Sequence, residues 1–289
     1  MTQVFLVTGA SRGLGREIAT AAATAGHRVL ATARRPETLD DLVAAHPDGR
    51  VRALALDVTD PVAADRAVAT AVETFGRLDV LVNNAGYADL GTVEDTPADA
   101  FRAQVETNFF GVVTLTRAAL PVMRRQGGGH VVQVSSGGGR LATPGLSAYQ
   151  SAKWAVGGFS EVLAAETADL GIKVTVLEPG GMQTDWAGSS MGDHPAGEAY
   201  EPLMARMRRL NETLAAGGSA SDPAKVAQLV LRVAAMDEPP LRLLVGADAV
   251  ELVAAGARRR AAEDERWRDL SLSVAREDAA ELDLSVLGH

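Results

Sequence analysis

The stretch Val4-Phe5-Leu6-Val7-Thr8-Gly9-Ala10-Ser11-Arg12-Gly13-Leu14-Gly15 decides the architecture. Four consecutive apolar residues, Val4–Val7, read as a short strand buried on both faces. The chain then turns through glycine and enters a helical run, Arg16–Ala25. Each glycine has a mechanical reason in such a junction. Gly9 permits the tight turn, Gly13 lets the backbone approach a pyrophosphate, and Gly15 lets the helix pack against the strand. The helix then presents unbonded N–H groups and a partial positive charge to the phosphates. A plain turn is the competing reading. The position of the triplet at the first strand-to-helix junction favours nucleotide binding.

The same alternation continues along the chain. Apolar runs recur at Arg28–Thr32, Val51–Leu56, Val80–Val82, His130–Val134, Lys173–Leu177 and Leu241–Val245, with Ala-rich helical stretches between them. Strands alternating with helices predict a doubly wound α/β fold: one parallel sheet of about seven strands, flanked by helices on both faces. No composition shift marks a domain boundary before about Asp185, and residues 1–289 read as one domain. The net charge of −9 lacks the basic face of a nucleic-acid binder. The absence of cysteine removes disulfides, thiolate metal sites and a cysteine nucleophile together, and no metal site is expected. The longest uncharged stretch, Gln126–Gly139, has 14 residues and six glycines, too short and polar to span a bilayer. No basic segment followed by an apolar run opens the chain, so the sequence reads as a soluble cytoplasmic protein.

The second strand run is followed by Ala33-Arg34-Arg35. A dinucleotide with a free ribose 2′-OH is usually held by a carboxylate near this point. Ala33 stands there instead, and Arg34, Arg35 and Arg12 supply guanidinium groups suited to a 2′-phosphate. This predicts NADP(H) in preference to NAD(H), against the alternative of solvent-facing arginines. Further on, Tyr149-Gln150-Ser151-Ala152-Lys153 opens a helical run reaching about Leu170. Tyr149 and Lys153 are four apart and share a helix face. A neighbouring ammonium favours the phenolate, so the lysine is expected to lower the tyrosine pKa and fit it for proton transfer. Ser135-Ser136, followed by Gly137–Gly139, ends the fifth strand, and Asn83-Asn84-Ala85-Gly86 ends the fourth. In a parallel sheet both lie at the edge where ligands bind. Asn108 sits inside a helical region, an unfavourable place for asparagine unless it has a local task.

These motifs together resemble the short-chain dehydrogenase/reductase family, in its classical branch, over about residues 1–246. The residues carrying the resemblance are Thr8–Gly15, Asp57-Val58, Asn83–Gly86, Asn108, Ser136, Tyr149 with Lys153, and Pro179-Gly180 with Thr184. The resemblance implies a Rossmann-type fold and an NADP(H)-dependent oxidoreductase interconverting a carbonyl and an alcohol. It assigns Tyr149 as general acid or base and Lys153 to pKa tuning and the nicotinamide ribose. Ser136 holds the substrate oxygen, and Asn108 anchors a water leading to Lys153. The glycine turn, with Gly9, Ser11, Arg12, Gly13, Leu14 and Gly15, is assigned to the cofactor, together with Arg34 and Arg35. Asp57 and Val58 flank the adenine. Asn83, Ala85 and Gly86 line the ribose and phosphates, and Pro179, Gly180 and Thr184 hold the carboxamide end. An epimerase or dehydratase using the same cofactor transiently, or a non-catalytic NADP(H)-binding regulator, are the competing functions. A homodimer or homotetramer is implied.

Two regions interrupt the alternation. Residues 185–221 combine glycines (Gly188, Gly192, Gly197, Gly217-Gly218) with an apolar set from Trp186 to Leu210, including Tyr200, Met204 and Met207. They read either as a substrate lid or as a helix docked permanently on the body. A charged helical extension, residues 247–289, follows the last strand and puts a tetramer built across that strand in doubt.

Overall fold

The computed structural model describes residues 2–182, 191–213 and 221–276. Its elements in chain order begin β1 (Val4–Val7), α1 (Gly13–Thr24), β2 (Arg28–Ala33), α2 (Asp40–Ala44), β3 (Val51–Ala55), α3 (Pro61–Phe75) and β4 (Val80–Asn83). There follow β5 (Ala88–Leu90), α4 (Ala98–Val105), α5 (Gly111–Arg125), β6 (Gly129–Val134), α6 (Ser147–Thr167) and β7 (Ile172–Pro179). The last are β8 (Met191–Asp193), α7 (Glu201–Thr213), α8 (Pro223–Ala234), β9 (Arg242–Val245), α9 (Ala247–Arg266) and α10 (Arg268–Leu272). All seven expected strands are present and pair in parallel in the order β3-β2-β1-β4-β6-β7-β9. β1 therefore has β2 on one side and β4 on the other, and the chain reverses its direction of travel across the sheet there. A crevice opens outside the carboxyl ends of such a strand pair.

Period-two alternation splits β1 between the two faces of the sheet. Phe5 and Val7 point to a core completed by Ile18, Ala19 and Ala22 of α1 and by Val226, Ala227 and Val230 of α8. Val4 and Leu6 point to the opposite core, with Ala64, Ala67 and Val68 of α3 and Leu115, Ala119 and Met123 of α5. Neither face meets water, which is why the strand reads as continuously apolar. Alanine dominates α1 and α3 where they lie on the sheet, because a small side chain lets helix and sheet approach closely. Local signals set the helix starts. Asp60 caps α3 by accepting from the N–H groups of Val62 and Ala63, with Pro61 at the first helical position. Asp222 and Pro223 do the same for α8.

Two features were not legible. β5 and β8 form a separate two-stranded parallel sheet, pairing Ala88 with Met191 and Leu90 with Asp193. Each strand has three residues and their partners are about a hundred residues apart, so no local pattern announces them. The helical stretch around Asn108 holds a π-helical turn, Glu106–Phe110, between α4 and α5. Of residues 185–221, the described part is docked on the body. Met204 of α7 is fully buried, within reach of Gly145 and Leu90, while Leu210 is exposed. Trp186, Gly188 and Gly217-Gly218 lie outside the described residues. No helix among the described residues is long and apolar enough to cross a membrane.

His130, on β6, is buried beside Thr175 of β7. The Thr175 hydroxyl donates to the Pro240 carbonyl at 2.8 Å, so it accepts from His130 Nε2–H at 3.0 Å. His130 Nδ1 is buried with no partner among the described residues. Burial, with the charge of Lys173 adding to it, pushes the imidazole pKa down to about 4. The fold therefore favours neutral His130. Its contribution to stability is complete above the unfolded pKa near 6.5 and is lost as pH falls toward 4. The expected loss is about 3 kcal/mol. Urea denaturation of the wild-type chain and of His130→Gln across pH 7 to 4 measures it, and the variant should lose less stability over that interval.

Candidate functional site

The crevice is built where β1 and β4 part. The Thr8 hydroxyl accepts from the backbone N–H groups of Asn84 and Ala85, both at 3.0 Å, and donates to the Val82 carbonyl at 3.3 Å. The Asn84 side-chain amide donates to the carbonyls of Thr8 and Gly9. These bonds clamp the glycine turn to the end of β4 and leave its other side open. Gly9 has φ +66° and Gly13 φ +55°, a backbone region that L side chains rarely adopt. A Cβ at Gly9 would stand 2.9 Å from Ala85 Cα, and one at Gly15 would overlap the Gly9 carbonyl and the Asn84 amide. Gly15 is thus a packing residue beneath the turn. No side chain caps the first turn of α1 and none of its residues is acidic, so the uncapped end faces the crevice.

The resulting cleft has a volume of about 610 Å³ and runs from Arg12 and Arg34 to Tyr149 and Lys153. Gly9, Ser11, Gly13, Leu14, Asp57, Val58, Ala85, Gly86, Asn108, Ser136, Pro179 and Gly180 also line it. A turn whose Gly9 and Gly13 carry no Cβ, beside an uncapped helix end and continuous with a polar floor, fits a dinucleotide. At the end of the cleft away from Tyr149, Ala33 lines the wall with Arg34 and Arg12, and no carboxylate follows β2 directly. Asp57 accepts from the Thr59 N–H and hydroxyl, and these bonds, assisted by the charge of Arg34, hold its pKa below the usual carboxylate value.

Besides Gly15, two expected residues, Arg35 and Asn83, do not line the cleft. Arg35 is exposed and leads into the turn at Pro36–Leu39, where its carbonyl accepts from Thr38. Consecutive extended residues point to opposite sides, so Arg34 faces the cleft and Arg35 does not. Asn83 is buried, with its amide donating to Thr116 at 3.1 Å and Gln133 at 2.9 Å. It braces β4 against β6 and α5 behind the cleft. Thr184 lies outside the described residues. Residues missed from sequence are Thr59, Tyr87, Glu106, Gly181 and Met182, which line the cleft without any motif.

The polar floor comes from β6, α6 and the π-helical turn. The Ser135 hydroxyl bonds the Lys153 carbonyl at 3.3 Å, so it is occupied by the backbone of α6. Ser136 lines the cleft, is hydrogen-bonded to Tyr149, and accepts from Gly138 N–H at 3.0 Å. Gly137–Gly139 is a tight helical turn, with Gly137 and Gly139 buried. A Cβ at Gly139 would stand 2.9 Å from the Lys153 carbonyl, so this glycine brings the serine turn onto α6. Lys153 Nζ lies 5.7 Å from the centre of the Tyr149 ring and donates to the Val134 carbonyl at 2.8 Å. The expected lowering of the tyrosine pKa is not what this arrangement produces. Burial pushes Tyr149 up to about 12, with the Ser136 bond working in the opposite direction, and burial pushes Lys153 down to about 8. Both shifts have one cause, the dryness of the floor, which penalises each charged form.

Asn108 has the local task its position demanded. Its amide donates to the carbonyls of Gln104 at 2.9 Å and Tyr87 at 2.8 Å, and its oxygen accepts from Tyr87 N–H at 3.2 Å. The Gln104 carbonyl is the one an α-helix would give to the backbone N–H of residue 108. The side chain supplies that bond, and the π-helical turn persists beside the cleft.

Glu178, fully buried at the end of β7, anchors the serine turn from behind. Arg140 holds it with Nε at 2.9 Å and Nη2 at 2.5 Å. Arg242 of β9 also grips Glu178 and bonds Glu161 of α6 at 2.6 Å. One carboxylate thus joins the turn after Ser136, the strand before Pro179 and the last strand of the sheet.

A doubly wound sheet with a phosphate-binding turn at one end of its cleft and a serine, tyrosine and lysine at the other defines a nicotinamide-dependent oxidoreductase. The model of the short chain dehydrogenase family matches residues 3–194, and the chain belongs to that family. It is 54% identical to the oxidoreductase BOA17 of Botryotinia fuckeliana over 277 residues, covering 95% of this chain and 100% of that protein. The crystal structure of a short-chain dehydrogenase from Streptomyces avermitilis superposes with a TM-score of 0.89 at 42% identity, over 96% of this chain and 100% of that one. An alcohol dehydrogenase from Thermococcus sibiricus, complexed with 5-hydroxy-NADP, superposes with a TM-score of 0.70 at 25% identity, over 85% and 97%. Proteins of this family use nicotinamide cofactors and act on small molecules.

The buried ion pairs carry a direct expectation. Glu178→Ala removes the fully buried carboxylate, leaving the partly exposed Arg140 without it and Arg242 with Glu161 alone, and removing one partner of a buried pair costs up to about 3–5 kcal/mol. Chemical denaturation of the variant should show a loss of that size. A loss below about 1 kcal/mol would mean that solvent reaches the cluster.

Proposed function

We propose that the chain is an NADP(H)-dependent oxidoreductase interconverting a ketone or aldehyde and an alcohol. The observation that carries this reading is the Ser136–Tyr149 hydrogen bond, with Lys153 one helical turn further on, on the dry floor of a cleft lined by Arg12 and Arg34. When bound, the nicotinamide supplies or accepts the hydride. The protein supplies position and the proton. Ser136 holds the substrate oxygen. Tyr149, protonated at neutral pH because its pKa lies near 12, is loaded as the general acid for carbonyl reduction. Lys153 keeps most of its positive charge at neutral pH, with a pKa near 8, and opposes the cost of forming a phenolate beside it. It also holds the nicotinamide ribose hydroxyls. Asn108 keeps the π-helical turn that opens the path for a water toward Lys153. Asp57 and Val58 flank the adenine, Gly9, Ser11, Gly13 and Leu14 cradle the phosphates, and Pro179 and Gly180 receive the carboxamide end. Arg12 and Arg34 receive the 2′-phosphate. Residues 185–221 carry substrate selection, and α5 and α6 pair across a two-fold axis in a cytoplasmic homodimer or homotetramer.

Tyr149→Phe removes one oxygen and keeps the ring, so turnover with a carbonyl panel should fall roughly 10²–10⁴-fold while NADPH still binds. A variant that keeps most of its activity would remove Tyr149 from the mechanism. Arg34→Ala loses a charge-assisted contact and should weaken NADPH by about ten- to a hundredfold, leaving NADH nearly unchanged. Fluorescence titration with both cofactors reads this directly, and equal weakening of the two argues against a 2′-phosphate contact.

A further inference from the structure

The C-terminal extension reaches the cofactor end of the cleft through one carboxylate. Asp248 stands in the first turn of α9. Its Oδ2 accepts from the backbone N–H of Gly181 at 2.7 Å, across 67 residues of sequence. Its Oδ1 is buried with no hydrogen-bond partner among the described residues. No bond from Asp248 to the N–H groups of its own helix occurs there, and the residue that begins α9, Gly246, has no side chain to cap it. The carboxylate is directed away from α9 and into the strand end that follows β7.

That strand end is held from several sides. Gly180 N–H donates to the Val245 carbonyl at 2.9 Å, and the Gly181 carbonyl accepts from Ser221 N–H at 3.1 Å. Met182 and Ser221 form an isolated parallel bridge. A Cβ at Gly180 would overlap the Asp248 carboxylate. Gly246, at φ +101°, lies so close that its own Cβ would stand 2.7 Å from Asp248 Oδ1 and would overlap the Ser221 hydroxyl. Two glycines thus clear the space in which this carboxylate sits. Pro179, Gly180, Gly181 and Met182 all line the cleft at the end where Ser136, Tyr149 and Lys153 lie.

We propose that Asp248 is a positioning residue of this enzyme: by holding the Gly181 amide it sets the backbone of Gly180–Met182 against the nicotinamide half of the cofactor. It thereby makes the C-terminal extension a support behind the cleft wall. The carboxylate touches neither cofactor nor substrate in this role. Its negative charge is favoured at the start of a 20-residue helix, which supplies the partial positive charge it needs while buried. The inference rests on the cofactor reading given above and adds the element that shapes one end of the site.

The test compares Asp248→Asn and Asp248→Ala with Glu251→Gln, which removes an exposed charge from the same end of α9. Each is titrated with NADP⁺ and with adenosine 2′,5′-bisphosphate, a fragment that carries no nicotinamide, and thermal unfolding is recorded in parallel. Asp248→Ala should weaken NADP⁺ roughly tenfold or more and leave the fragment unchanged. Asp248→Asn, which retains an acceptor oxygen, should recover part of the loss, and Glu251→Gln should bind both ligands as the wild type does. If Asp248→Ala lowers the unfolding temperature but binds NADP⁺ normally, Asp248 serves only the helix and the inference fails. Equal weakening of both ligands also overturns it, because the effect is then not confined to the nicotinamide end. Should Asp248→Ala not fold, an unchanged NADP⁺ affinity and unchanged KM and kcat in Asp248→Asn would overturn it. A wild-type chain that binds neither NADP⁺ nor the fragment overturns the functional reading and this inference with it.

Discussion

Thr8 is where the structure is joined. Its hydroxyl accepts two backbone N–H groups from the end of β4 and donates to a third residue of that strand, while its own backbone carries the chain from β1 into the glycine turn. β1 and β4 are neighbours in the sheet yet far apart in sequence, so the crevice between their ends depends on a long-range tie. The tie is short and side-chain-mediated, which leaves the N–H groups at the start of α1 unbonded. A backbone-only connection would have closed the crevice or left the turn loose. The cleft, the approach of Gly9 to Ala85 and the alignment of α1 all follow from this geometry.

At the far end the governing constraint is exclusion of water. The floor formed by β6, α6 and the π-helical turn buries both Tyr149 and Lys153. Burial raises one pKa and lowers the other, because the dry floor penalises each charged form, so both groups are pushed toward their neutral forms. The surrounding polar groups are nearly all satisfied by backbone: Ser135 by Lys153, Lys153 by Val134, and Asn108 by Gln104 and Tyr87. Such saturation holds the side chains in place before any ligand arrives.

The sheet was readable because both of its faces are buried, and double burial imposes apolar residues at nearly every strand position. The separate β5–β8 sheet was not, since three-residue strands carry no periodicity and their register depends on how residues 191–213 dock. The family resemblance, not the local sequence, singled out Ser136; the neighbouring Ser135 hydroxyl bonds the Lys153 carbonyl. Asn83 and Arg35 show the limit of motif reading. Each adjoins a residue at the cleft, but strand alternation sends its side chain elsewhere. Asn83 serves a buried network with Gln133 and Thr116, a task invisible without the pairing of β4 with β6.

By itself the sequence determined the alternation of strand and helix, the glycine turn after the first strand, the tyrosine–lysine spacing and the basic residues that follow the second strand. All of these are local: hydrophobic period, glycine tolerance and i, i+4 geometry act within a few residues. Tertiary structure decided the rest. It set the sign of the Tyr149 shift, because desolvation depends on every element packed around the ring. It joined Arg140, Glu178 and Arg242 into one buried cluster from three separate segments. It also brought Asp248 to Gly181, since a carboxylate and an amide 67 residues apart meet only once β7 and β9 are paired in register.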